Sequence, residues 1–92
     1  MSQVFRVGSY WVYSWANEDK PLEPLRVHVS KGKPIPNATK FWITKSGKCL
    51  LANNNSSYSE KALNYLSKVI EANIDIIIAK WLSFFGSVTY YC

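Results

Sequence analysis

Ninety-two residues with 48% hydrophobic and 15% aromatic side chains can close one core, and a formal net charge of only +5 is too small to keep such a chain disordered. Two cysteines, Cys49 and Cys92, exclude a disulfide framework. The most apolar run, 74–85, contains Asp75 and Lys80 and is shorter than the roughly 20 residues of a membrane span.

In chain order, Arg6 falls where the apolar core of a signal peptide would lie, so the expectation is one cytoplasmic domain over residues 1–92. Residues 4–7 and 10–15 are aromatic and β-branched and flank Gly8-Ser9, which reads as a hairpin. A polar loop over 16–24 follows, held out of regular structure by Pro21 and Pro24. Residues 25–30 and 39–44 form a second strand pair joined by the loop 31–38, Ser46-Gly47 makes a turn, and 48–52 is a last short strand. This places a β-rich half over about 4–52.

The period changes after Asn53-Asn54-Asn55-Ser56. Ser57 followed by Glu60 fits a capping box and predicts a helix starting near Tyr58. Ala62, Leu63, Leu66, Val69 and Ile70 supply its apolar face, and Ile74, Ile77, Ile78, Trp81, Leu82 and Phe85 supply that of a second helix. Asn73 marks the joint and Gly86 the end, so the helices occupy about 58–86. The tail 87–92 reads as a final strand, expected to pair with an edge of its own sheet or of a second copy in a homodimer. The predicted fold is α+β: an N-terminal twisted antiparallel sheet packed against a C-terminal helical hairpin.

Charge is distributed unevenly over this plan. Between Leu25 and Ser59 there are six basic residues and no acid. Strand alternation puts Arg26 and His28 on one face of 25–30, opposite Leu25, Val27 and Val29, and puts Lys40 and Trp42 opposite Phe41 and Ile43. With the apolar faces turned to the helices, Arg26, His28, Lys40 and Trp42 would share the outer surface, with Lys31 and Lys33 beside them in the loop. Cations around an aromatic platform suit phosphates and bases. The plain alternative is a solvated face that binds nothing.

The pattern favours a non-enzymatic binding module whose partner is nucleic acid or an acidic protein. One alternative is a metal-independent ribonuclease in which His28 is the acid–base group. His28 is the single histidine, so Glu23 or a tyrosine would have to supply the second proton-transfer group. Another alternative is an interaction module acting through its helices and tail. His28, Cys49 and Cys92 lack metal-ligand spacing, so no metal or cofactor is expected.

Several separated segments carry a likeness to a known family. They include Val4-Phe5-Arg6-Val7-Gly8-Ser9-Tyr10, Glu23-Pro24 with Val27-His28-Val29, Ala38-Thr39-Lys40-Phe41-Trp42, Gly47-Lys48-Cys49 and Asn53-Asn54-Asn55-Ser56. Val69-Ile70-Glu71-Ala72-Asn73, Ala79-Lys80-Trp81, Phe84-Phe85-Gly86 and Tyr91-Cys92 complete it. Over nearly its full length the chain resembles the bacterial proteins of domain-of-unknown-function family 4160. The resemblance implies a small cytoplasmic protein, often encoded beside another small protein as in toxin–antitoxin or regulatory pairs. Family members usually read His-Val-His where this chain has Arg26-Val27-His28. A paired-histidine role would be halved here, while the positive charge is kept.

Overall fold

The computed structural model describes residues 2–14 and 24–91, with residues 2 and 3 described by their backbone alone. Five strands, β1 (Ser2–Val7), β2 (Tyr10–Ser14), β3 (Arg26–Lys31), β4 (Thr39–Ile43) and β5 (Cys49–Asn53), form an antiparallel sheet in sequence order. Two helices follow, α1 (Glu60–Ala72) and α2 (Ile74–Phe85). The fold is α+β, with the helices on one face of the sheet. The strands start and stop within two residues of the expected positions. Trp15, the loop from 16 to 23, Glu23 and Cys92 lie outside the described residues.

A meander forms because the connections from β1 to β2 and from β4 to β5 are short turns. Gly8 sits at φ 57° between β1 and β2, where a side chain would cost backbone strain. The helix-facing side chains of the sheet, Val12, Val27, Val29, Phe41 and Ile43, meet Leu66, Ile70, Ile77 and Trp81 in one core. β3 lies in the middle and is buried over residues 26–30, so both of its faces are covered.

α1 begins later than the sequence suggests. Its cap is Ser59, whose Oγ accepts from the Ala62 N–H at 3.1 Å. Ser57, the expected cap, is instead in the left-handed region at φ 58°. The cause is Asn54, whose side chain accepts from the Tyr58 N–H at 3.0 Å and donates to the Tyr58 carbonyl at 2.9 Å. With both backbone groups of Tyr58 held this way, the first helical turn forms only beyond it. The joint at Asn73 is as expected, its Nδ2 donating to the Val69 carbonyl at 2.8 Å. Gly86 ends α2 at φ 74°. Leu82, placed on the inner stripe of α2 by periodicity, is exposed, as are Ile76 and Phe84.

The tail differs from expectation more clearly. Residues 87–91 form no strand, and the Leu25 N–H donates to the Thr89 carbonyl at 2.8 Å. β3 already has β2 and β4 on its two sides, so the tail can reach it only ahead of its first residue. Val88 and Tyr90 nevertheless pack against the core. At the β5 edge, the Cys49 N–H is taken by the Glu71 carboxylate of α1 at 3.0 Å. No described helix is long and apolar enough to cross a membrane.

Candidate functional site

The register brings together the residues that alternation grouped. Arg26 lies opposite Trp42 and His28 opposite Lys40, and on the other side of β3 Tyr13 faces His28. Alternation sets these positions opposite the helix-packed Val27, Val29, Phe41 and Ile43, but the Arg26 guanidinium reaches back to Trp81 of α2. Their exposure is another matter. Arg26 is 2% exposed and His28 7%, so neither belongs to an open surface.

Both make specific contacts among the described residues. The Arg26 side chain stays over the start of β3, where Nη1 donates to the Pro24 carbonyl at 3.0 Å. Its guanidinium carbon also lies 5.5 Å from the centre of the Trp81 ring, a cation–π contact to the core of α2. His28 stacks on Tyr13 at 5.7 Å with 23° between the rings. Tyr13 is itself fully buried, and its hydroxyl donates to the Ile35 carbonyl at 3.1 Å and accepts the Ile35 N–H at 3.2 Å. Those two bonds tie the loop between β3 and β4 to the middle of this face.

The expected lysines divide. Lys31 is exposed but alternates with Val29 towards the helix side, its ammonium 5.7 Å from the Tyr10 ring. Lys33 is exposed in the loop, and its carbonyl accepts from Ser30 Oγ at 3.0 Å. Lys40 and Trp42 remain partly open on the outer face, with the Lys40 ammonium 4.9 Å from the indole centre.

The structure adds a partner that the sequence reading did not include. Tyr91 stacks on Trp42 with centroids 5.3 Å apart and only 5° between planes, and it is 59% exposed. Trp42 also lies opposite Leu50 of β5, which is 42% exposed. Lys48 alternates with Leu50 and so falls on the same side, exposed. The signal for Lys48 was present in the β5 alternation. Nothing in the sequence could place Tyr91, because its position depends on the tail docking at Leu25. A second cation–aromatic pair, Arg6 over Trp11 at 4.7 Å, occupies the β1–β2 side of this face.

The electrostatics follow from layering. The acidic residues among the described ones, Glu60, Glu71 and Asp75, all sit on the two helices. Arg6, Lys40 and Lys48 sit on the opposite sheet face. Among the described residues, one side is positive and aromatic and the other carries mixed charges.

Cys49 is the described cysteine, and its thiol is held in the protonated form. Burial pushes the Cys49 thiol up to about 11, and the nearby Glu71 carboxylate adds to the rise despite a contact from the thiol to the Ser67 carbonyl. At neutral pH this sulfur is a protonated thiol, the unreactive form. Among the described residues no three His, Cys, Asp or Glu side chains gather into a metal-sized group. A hollow of about 500 Å³ on α1, lined by Glu60, Lys61, Asn64, Tyr65 and Lys68, lies on the helix side of the molecule.

Comparison with known proteins returns one family. The model described as Domain of unknown function (DUF4160) matches residues 9–82, most of the chain. No curated protein and no solved structure matches it.

Proposed function

The chain belongs to the DUF4160 family, and on that premise we propose that it is a non-enzymatic binding module whose helix-free sheet face docks an anionic partner. The resemblance to proteins encoded in small paired systems fits a role as one half of such a pair. The observation that carries the reading is the cluster around Trp42. Lys40 lies against its ring and Tyr91 is stacked on it, on a face where the described residues include no acid. An exposed aromatic surface bordered by lysines loses little solvation when an anion docks and gains both charge and stacking contacts.

Burial of Arg26 removes one cation from the open surface, so the face should make two or three ionic contacts. Affinity for a short polyanion, followed by fluorescence anisotropy, should then weaken about 5- to 40-fold between 50 and 200 mM salt. Lys40→Ala and Lys48→Ala should each reduce the salt slope by about one contact. Binding to neither a labelled oligonucleotide nor a labelled oligoglutamate, or slopes untouched by both variants, would overturn the reading.

A further inference from the structure

We infer that the anionic partner of this face is a single-stranded nucleic acid, with one base stacking on the outer side of the Tyr91 ring. This rests on the reading just given and names the class of partner. An aromatic ring outside regular secondary structure ordinarily turns towards the core or samples many orientations. The Tyr91 ring does neither. It is 59% exposed and yet lies within 5° of parallel to Trp42.

The alignment is supported from both ends. The Leu25–Thr89 backbone hydrogen bond fixes the tail two residues earlier, and Tyr90 packs into the core beside it. Trp42 is held in turn by β4, with Lys40 against its ring. The arrangement therefore presents a flat π-surface whose orientation is set before any ligand arrives. Prior ordering of this kind lowers the entropy cost of binding.

Charge brackets the platform. Lys40 lies two residues before Trp42 on β4, and Lys48 lies across from Thr44, two residues beyond it. Strand rise and strand spacing put the two lysine backbones about 14 Å apart, on either side of the stacked rings. A nucleotide strand offers this pattern in return, with a base between charged phosphates. A run of Asp or Glu offers the charges without an aromatic plane to occupy the ring. A duplex keeps its bases stacked on one another, which leaves none free for Tyr91. Every base offers a π-face to stack on, so sequence preference should be weak.

The test compares three labelled probes by anisotropy at one salt concentration: a short oligodeoxyuridine, an abasic strand of the same length, and an oligoglutamate. The base-bearing strand should bind about 5- to 150-fold more tightly than the abasic one, the range expected for a single stacked base. Tyr91→Leu should bring that ratio close to one, while Tyr91→Phe should keep it. Thermal melts of both variants should overlay that of the parent, since the ring is exposed. Equal binding of the base-bearing and abasic strands, tighter binding of oligoglutamate, or a ratio retained in Tyr91→Leu would overturn this inference and leave the anionic docking face standing. Failure of all three probes to bind would overturn the docking face itself.

Discussion

Trp81 illustrates how much can depend on one side chain. It is 2% exposed, it receives the Arg26 guanidinium, and its ring centre lies 4.5 Å from that of Phe85. Trp81→Ala should cost about 3–5 kcal/mol through lost burial and a cavity. A domain of this size commands only about 5–15 kcal/mol in total, so the variant should be barely folded. The indole N–H has no acceptor among the described residues, a defect that costs about 1–3 kcal/mol when buried. Trp81→Phe removes that donor along with part of the ring, and chemical denaturation should show a far smaller loss than for alanine. Equal losses for the two variants would mean that volume matters little at this position.

Cys49 gives a second expectation at the same scale. Its thiol pKa is higher folded than unfolded, so the folded state holds this proton more tightly. The associated stability is complete below the ordinary thiol range and is lost as pH rises through about 11. Cys49→Ala should make the decline of stability between about pH 9 and pH 11 shallower, read from melts across that range. A decline identical in the two proteins would assign it to other groups.

Among the elements, the entry to α1 shows how a local signal is overridden. Ser57 with Glu60 has capping-box spacing, yet the Asn54 side chain engages both backbone groups of Tyr58 and shifts the cap to Ser59. Ser59→Ala should therefore cost about 1 kcal/mol, the usual value of a lost cap. Ser57→Gly should stabilise by up to about 1 kcal/mol, because a left-handed residue is relieved. If Ser57 were the cap, Ser57→Ala would be the damaging change and Ser59→Ala neutral. Denaturant midpoints of these variants decide the matter.

Across the whole molecule, the sheet and helices are joined through a tail that no strand assignment captures. Val88 and Tyr90 pack on the core, and Thr89 accepts from Leu25. Ending the chain after Gly86 should lower the melting temperature by about 10 °C, from the loss of two partly buried side chains. The elution volume should stay the same, because the contacts are made within one chain. A shift in elution would support the strand exchange between copies that the sequence suggested. At this scale the charge pattern also becomes legible: acid-free β-strands form one side and acid-bearing helices the other.

Much of this protein follows from local chemistry that its sequence states directly. Alternation of two determines that Arg26 and His28 share a face with Lys40 and Trp42, and the helical period determines that Leu66, Ile70, Ile77 and Trp81 point inward. Glycines at 8, 47 and 86 mark turns and a helix end because positive φ is cheap only there. Burial is not a local property, and here the sequence runs out. Only the placement of β3 between β2 and β4, the Tyr13 bonds to the Ile35 loop and the Arg26 contact with Trp81 decided that two of the expected surface residues lie inside. Likewise, only the docking of residues 88–91 put Tyr91 on Trp42, since that stack joins side chains far apart in the chain and depends on β5, α1 and α2 between them.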